Sequence, residues 1–193
     1  MEMRIRRAIC TSLACAGILS FFVETSKAQS TQGSRGMVSA KTGAAAPAFQ
    51  IDANLAQLMR GIFFPNSNVV FAAQSINPDE VKPAKDPSMA TDPLASTYGK
   101  WPAVENSGLA IAEAANLLMI PRRKCSNGRD VPIGNSDWAK LVKGVRDAGM
   151  TSYKAAQSKN QDNILTAADA LATACANCHE KYRDTPELAG RCK

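Results

Sequence analysis

The sequence predicts an all-α protein, folded as an up-down-up-down antiparallel four-helix bundle with a long loop between helices 1 and 2. Four segments carry apolar residues three and four positions apart, the spacing of one helix face, and no window alternates as a strand does. The second and third connections are short, and short connections join antiparallel neighbours in helix bundles. A chain of 193 residues is long enough for one domain with a sizeable core.

The first predicted helix extends from about Phe49 to Ile62. Pro65 is expected to kink or end it, because proline lacks the amide hydrogen that a helical turn needs; the following NSNVVFAAQ is compatible with a continuation. The stretch from Asn77 to Lys100 contains four prolines and mixed charges, so we expect a long loop there, and such loops often have functions. The apolar face of this helix consists of Leu55, Leu58, Met59 and Ile62.

The second predicted helix begins at Trp101, followed by a proline in a tolerated first-turn position, and it ends before Pro121. Ser136 is expected to cap the third helix, which extends to about Ser158. The predicted apolar positions are Val104, Leu109, Ala112, Leu117 and Ile120 in the second helix, and Trp138, Leu141, Val142, Val145 and Ala148 in the third.

The fourth predicted helix extends from about Asp162 to Tyr182, after the short connection KNQDN. One face of this helix begins with apolar residues and continues into a cysteine and a histidine, so core positions and reactive side chains share it. The predicted face consists of Ile164, Leu165, Ala168, Leu171, Ala172, Cys175 and His179.

Residues 1–28 have the order of a secretory signal peptide. Three arginines in MEMRIRR precede the largely apolar stretch AICTSLACAGILSFFV, and the small polar segment ETSKAQS follows. Ser26 and Ala28 fit the small-residue rule for cleavage, so we expect a mature chain that begins at Gln29 and is exported to the periplasm, with no membrane span. A membrane anchor at the N-terminus is the alternative. Residues 29–48 are predicted to be a flexible lead-in to a domain over 49–193.

Charge gives little indication of nucleic-acid binding. Without residues 1–28, the chain has 19 basic and 15 acidic side chains, a mild excess spread along the sequence. The cluster Arg122-Arg123-Lys124 is the local exception, and it suits either a solvated helix end or an acidic partner.

Export also removes two of the six cysteines, Cys10 and Cys15. The mature chain keeps Cys125, Cys175, Cys178 and Cys192, and in an oxidising compartment each of them needs an explanation.

The segment TACANCHEKYRD, from Thr173 to Asp184, contains the single histidine of the sequence. Cys175, Cys178 and His179 occupy positions i, i+3 and i+4 of a predicted helix, so their side chains project from one face. Covalent haem attachment needs this arrangement, with two thiols for the porphyrin vinyl groups and an imidazole for the iron. We therefore predict one covalently attached haem c, with His179 as axial ligand.

Two other chemistries compete with haem for this motif. A structural zinc site would need Cys125 and Cys192 to complete a four-cysteine set, but such sites usually present paired Cys-x-x-Cys knuckles, and only one pair exists. A thioredoxin-like dithiol would need a βαβ setting, which the pattern lacks. No hydrolytic constellation is present, and the one histidine is assigned to iron, so we expect no enzyme.

With the motif near the end of its last helix, the chain from about Phe49 to Asp184 resembles class II c-type cytochromes, the cytochrome c′ group and its low-spin relatives. Cys175, Cys178, His179, Tyr182 and Arg183 carry the resemblance. It implies a periplasmic monohaem carrier of electrons between redox protein partners, and it leaves open whether two chains pair as a homodimer. The alternative within the family is a five-coordinate cytochrome c′ that binds NO or CO.

Tyr182 is expected to pack at the haem edge. Arg183 is expected either to pair with a haem propionate or to remain a solvated cation at the helix end.

A single histidine excludes bis-histidine ligation within one chain, so the sixth iron position is expected to hold a methionine, water or a weaker ligand, or to be empty. In an alternating bundle the end of helix 4 lies beside the beginning of helix 1, where Met59 is found. Low-spin relatives use a first-helix methionine, which makes Met59 the candidate ligand; an ordinary core role is the alternative. The reserve candidates are Met119, then Met89 and Met150.

The same topology brings the connection between helices 2 and 3 close to the tail after helix 4. Cys125 and Cys192 are therefore predicted to form a disulfide that stabilises the fold.

Overall fold

A computed structural model describes residues 49–192, and within this range the protein is all-helical with no β-strand, as predicted. Helix α1 has three consecutive segments: an α-helical turn Leu55–Leu58, a π-helical turn Met59–Phe63 and an α-helix Phe64–Ala72. The other helices are α2, which is Trp101–Ala114 with a 3-10 extension Ala115–Met119, α3, which is Ser136–Gln157, and α4, which is Gln161–Tyr182.

Short 3-10 turns complete the secondary structure of the described range. Three of them lie between α1 and α2, at Pro78–Glu80, Pro87–Met89 and Pro93–Ala95, and one follows α4, at Leu188–Gly190. The predicted signal peptide, its cleavage site and the predicted flexible segment 29–48 lie outside the described residues.

Helix α1 begins at Leu55, six residues later than expected from Phe49, because a capping box fixes its start. The side chain of Asn54 accepts a hydrogen bond from the amide of Gln57 at 2.9 Å, and the Gln57 side chain accepts one from the amide of Asn54 at 2.8 Å. Helix α3 likewise differs from expectation at its first residue. Asn135 precedes this helix as its N-cap, and Ser136 is its first helical residue.

Pro65 neither ends helix α1 nor leaves it regular. The π-helical turn ends at Phe63, two residues before the proline, and the amide of Phe64 is bonded to the carbonyl of Met59 five residues back. The side-chain amide of Asn66 donates to the carbonyl of Ile62 at 2.7 Å. The helix therefore accommodates the proline with a widened turn before it and continues to Ala72.

Hydrogen bonds connect neighbouring helices near their first and last residues. The amide of Leu55 at the start of α1 donates to the carbonyl of Lys124, between α2 and α3, at 2.8 Å. The indole of Trp138, near the start of α3, donates to the carbonyl of Leu118, near the end of α2, at 3.2 Å. At the opposite end, the side chain of Gln161, the first residue of α4, donates to the carbonyl of Ala73 after α1 at 2.7 Å.

Helices α2 and α3 approach each other closely through glycine. A Cβ added to Gly108 would lie 2.6 Å from the backbone nitrogen of Tyr153, and one added to Gly149 would lie 2.8 Å from that of Ala112. Because the crossing is centred on these residues, Leu109 is only half-buried. On α4, Leu165 and Ala172 are exposed and were wrongly assigned to the core face.

The predicted disulfide is confirmed. Cys125, in the connection between α2 and α3, is bonded to Cys192 in the tail, with a Cα–Cα distance of 5.0 Å. Among residues 49–192 no helix combines the length and the apolar character that crossing a bilayer requires.

Candidate functional site

The core face of helix α4 opens to solvent for about one turn near its C-terminal end. Ile164, Ala168 and Leu171 are fully buried on this face. Cys175, Cys178 and His179 follow at helical spacing and are only half-buried, whereas Tyr182, one turn further, is buried again. The three motif side chains therefore lie in a gap of the core face, between two buried layers.

The two motif cysteines are free thiols that pack against the core. Burial raises the pKa of Cys175, and it raises the pKa of Cys178 to about 11, with smaller contributions from Cys175 and from the carboxylate of Asp137. Burial therefore favours the protonated thiol at both positions.

The surroundings of His179 favour the neutral form of its imidazole. Burial lowers its pKa, the nearby cation of Arg183 lowers it further, and Asp184 opposes the shift. A neutral imidazole has a lone pair for a metal ion. The backbone at this position is fixed, because the carbonyl of His179 accepts the amides of both Arg183 and Asp184 at 2.8 Å.

Tyr182 connects the last turn of α4 to the first turn of α3. Its hydroxyl donates to Oδ1 of Asp137 at 2.7 Å and accepts from the side-chain amide of Asn135 at 3.3 Å. Its ring meets that of Trp138 edge-on, with centroids 4.9 Å apart. The backbone of Tyr182 accepts the amide of Cys192 at 2.7 Å, so the tail and its disulfide are fixed at the same position.

Asp137 also pairs with Lys181. Its Oδ2 is shielded from solvent and lies against the Lys181 ammonium. The hydrogen bond from Lys181 and the one from Tyr182 lower the pKa of this carboxyl group. The carboxylate thus fixes two residues of the turn that follows Cys178.

Arg183 is exposed, and its guanidinium forms an ion pair with the adjacent Asp184, with Nη2 and Oδ2 2.6 Å apart. The pairing raises the pKa of Arg183 and lowers that of Asp184. In this arrangement the arginine is a paired cation at the end of the helix.

The candidate sixth ligands occupy different environments. Met59 is the first residue of the π-helical turn and is half-buried against the core cluster that Cys175 and Cys178 also border. Met119, at the end of α2, borders the same cluster. Met89 is 77% exposed in the connection between α1 and α2, and Met150 is half-buried in α3.

Two polar contacts of the structure are not predicted by the sequence, one beside the motif at Asp137 and one at Arg123. The sequence pattern indicates no role for Asp137, an acidic residue in the first turn of α3. It does not predict the hydrogen bond that Asp137 accepts from Tyr182, 45 residues further along the chain. The sequence suggests that Arg123 is a solvated cation at a helix end. In the structure this residue is only 3% exposed, and its guanidinium donates to the carbonyls of Ala53 and Leu117. The position of Arg123 just after the second predicted helix could have indicated this role, because basic side chains there can bond to the last carbonyls of a helix.

The four-cysteine zinc set loses two of its members, because Cys125 and Cys192 are bonded to each other. Within residues 49–192 no group of three or more histidine, cysteine, aspartate and glutamate side chains is arranged to hold a metal ion.

A shallow groove of about 470 Å³ lies between α3 and α4, close to the motif. Leu141, Gly144, Thr173 and Asn177 are among its lining residues, whereas Cys175, Cys178 and His179 are not. The groove is therefore separate from the gap in the core face.

No family model, curated protein or solved structure matches this chain.

Proposed function

We propose that residues 49–192 form a periplasmic monohaem c-type cytochrome that carries electrons between redox protein partners. In this proposal Cys175 and Cys178 hold one haem c through thioether bonds, and His179 is an axial iron ligand. The bound haem supplies reversible one-electron chemistry, and the protein supplies its burial, orientation and electrostatic environment.

The gap in the core face of α4 is the observation that carries the proposal. Two free thiols and one imidazole lie together on an otherwise buried helix face, and each is half-buried there. A ligand imidazole needs a free nitrogen lone pair, and the lowered pKa of His179 favours the neutral form that has one.

The architecture that we propose is the up-down-up-down antiparallel bundle with a long loop between α1 and α2. The contacts at the helix ends support it. The start of α1 bonds to the residues that follow α2, the start of α3 bonds to the end of α2, and the start of α4 bonds to the end of α1. Bundles of this kind place cofactor sites between facing helices.

The disulfide supports the proposed location. Structural disulfides persist in oxidising compartments such as the bacterial periplasm and are rare in the cytosol. The Cys125–Cys192 bond agrees with the export that the N-terminal sequence predicts.

The test is expression of the full chain in a host that exports proteins and attaches haem c. We expect a purified protein whose mass includes one haem, whose haem resists acidic organic extraction, and whose reduced pyridine adduct has the spectrum of a thioether-linked haem. Cys178→Ala should convert the adduct to the form with one unsaturated side group, and Cys175→Ala/Cys178→Ala should abolish covalent attachment.

The matched control is Cys125→Ala/Cys192→Ala, which removes the same number of cysteines away from the motif and should leave attachment intact wherever the variant folds. A protein with no haem and two reactive thiols at Cys175 and Cys178, obtained from a host that loads a reference c-type cytochrome, would contradict the proposal.

A further inference from the structure

The connection between α2 and α3, residues 121–135, contains more positive charge than the rest of the described chain. Residues 49–192 carry sixteen basic and fifteen acidic side chains, a net charge of +1. Residues 121–135 carry four basic side chains and one acidic one, a net charge of +3. The remainder of the described chain is therefore slightly negative, and the basic character is local. We refer to residues 121–135 as the basic connection.

The basic connection has a fixed conformation. The buried guanidinium of Arg123 bonds to carbonyls before α1 and at the end of α2. The carbonyl of Lys124 accepts the amide of Leu55 at 2.8 Å, and Cys125 is covalently joined to the tail. The side chain of Asn127 donates to the carbonyl of Arg191 at 2.7 Å, which makes a second link to the tail.

The side chains of two arginines of the basic connection form no hydrogen bond or ion pair within the described residues, although the carbonyl of Arg129 accepts the amide of Cys125 at 2.8 Å. Arg122 and Arg129 are exposed, and within the described residues neither forms an ion pair with a carboxylate. Arg123 already serves the carbonyls at the end of α2, and Lys124 is paired with Asp130 at 2.7 Å. The carbonyls at the end of α2 therefore explain Arg123, and the ion pair with Asp130 explains Lys124. Neither explanation applies to Arg122 or Arg129.

Arg122 is one of three described residues other than glycine with a positive φ, together with Lys100 and Lys159. The φ of Arg122 is 68°, in the left-handed region, where a residue with a Cβ is less stable than glycine by about 1 kcal/mol. Such conformations persist where the surroundings impose them, and they are concentrated at functional sites. Position 122 therefore suits glycine but is occupied by an arginine, and the side chain of this arginine has no hydrogen-bond or ion-pair partner among the described residues.

The basic connection lies beside the haem-attachment motif. Cys125 is bonded to Cys192, whose amide donates to the carbonyl of Tyr182 at 2.7 Å, and Tyr182 follows Cys178 by one helical turn. A redox partner must approach the protein near the haem edge, because electron transfer slows steeply with distance. The basic connection is joined through this disulfide and amide to the turn that follows the motif.

We propose that the basic connection, through Arg122 and Arg129, is the docking surface for an acidic face of the redox partner. The proposal rests on the proposed function and identifies the charge of the partner. A local field of this kind steers an oppositely charged partner and raises the association rate, and added salt weakens the effect.

The first experiment does not require haem. The isotope-labelled full chain is titrated at low ionic strength with a decaglutamate peptide, and amide shifts are mapped by NMR. We expect the shifts to concentrate in residues 121–135 and to be lost in Arg122→Gln/Arg129→Gln. The control Lys82→Gln/Lys85→Gln removes the same charge from exposed positions between α1 and α2, and it should keep them. Shifts centred elsewhere, or an equal loss in both variants, would overturn the proposal.

The second experiment uses the haem-loaded protein. The second-order rate of oxidation by hexacyanoferrate(III), an anion, should fall with added salt, and at low salt it should fall roughly tenfold in Arg122→Gln/Arg129→Gln. The lysine control should change the rate far less, and a cationic hexaammine oxidant should show the opposite salt dependence. Equal rates for the two variants would refute the docking surface. A chain that takes up no haem would refute the proposed function, and the peptide titration would then decide whether the basic connection binds an acidic partner.

Discussion

The hydroxyl of Tyr182 donates a hydrogen bond of 2.7 Å to the carboxylate of Asp137, and this contact joins the last residue of α4 to the first turn of α3. Two further groups converge on the pair, the indole of Trp138 and the ammonium of Lys181. The proposed haem-bearing turn, which contains Cys178 and His179, directly precedes this cluster. Its position is therefore fixed by a polar contact between two helices as well as by apolar packing.

Tyr182→Phe should lower the free energy of unfolding by about 1 kcal/mol, because the change removes the hydroxyl and leaves the aromatic contact with Trp138. Urea unfolding followed by circular dichroism measures the effect. Tyr98→Phe is the matched control, since Tyr98 is 74% exposed, and it should leave stability unchanged. Equal stability of the two variants would mean that the contact with Asp137 contributes nothing.

The same contact predicts how stability depends on pH. The pKa of Asp137 is lowered in the folded protein, chiefly by the hydrogen bond from Lys181 and then by the one from Tyr182. The ionised carboxylate therefore stabilises the fold above the ordinary pKa of an aspartate, and this stabilisation is lost as the pH falls through the lowered value. Asp137→Asn should flatten the fall in stability between about pH 5 and pH 2. Asp169→Asn, at an exposed position of α4, is the control, and an unchanged slope in Asp137→Asn would contradict the prediction.

The close approach of α2 and α3 predicts opposite effects for two glycines of α3. Gly149→Ala should destabilise the protein by about 1 to 3 kcal/mol, because its Cβ would lie 2.8 Å from the backbone of Ala112 and the helices would have to separate. Gly144→Ala meets nothing within 4 Å, so it should stabilise the helix by about 0.5 to 1 kcal/mol. Thermal unfolding of both variants measures the difference, and destabilisation by both would show that helix packing does not distinguish them.

The disulfide should contribute about 4 kcal/mol to stability, since its cysteines are 67 residues apart and the bond restricts the unfolded chain. Cys125→Ala/Cys192→Ala or mild reduction should lower the midpoint of urea unfolding correspondingly. In haem-free protein that begins at Gln29, thiol titration under denaturing conditions should find two thiols before reduction and four afterwards. Four reactive thiols before reduction would contradict the bond.

Local spacing carried most of the information about the fold. Apolar residues three and four apart predicted every helix, and the alternating order of those helices predicted the pairing of Cys125 with Cys192, which the structure confirms. The start of α1 was misplaced because the capping box of Asn54 and Gln57 outweighs the apolar character of the preceding residues. Leu165 and Ala172 were misassigned because helical spacing defines a broad face, and contacts with the neighbouring helices decide which part of it is covered.

Other features of the structure depend on contacts between distant segments, which spacing does not encode. Gly108 and Gly149 look like weak points of two helices until a close crossing explains them. Arg123 looks like a surface charge until the carbonyls of Ala53 and Leu117 converge on it. In contrast, Cys175, Cys178 and His179 share a face through local helical geometry alone, so this part of the arrangement could be predicted from the sequence.

Met59 begins the π-helical turn of α1 and borders the same core cluster as the motif cysteines. If its thioether is the sixth ligand, the oxidised haem-loaded protein should have the weak red absorption band of a methionine–iron bond, and the reduced protein should bind CO poorly. Met59→Leu should remove the band, expose the iron to CO and lower the reduction potential by on the order of 100 mV, because a thioether ligand favours the reduced state.

Met119→Leu is the matched control, because Met119 is a half-buried methionine that borders the same cluster at the end of α2. It should retain both the band and the resistance to CO. Loss of the band in Met119→Leu instead of Met59→Leu would move the ligand to α2. A wild-type protein that lacks the band and binds CO readily would have an open sixth position, as in a five-coordinate cytochrome c′, and Met59 would then be a core residue that supports the π-helical turn before Pro65.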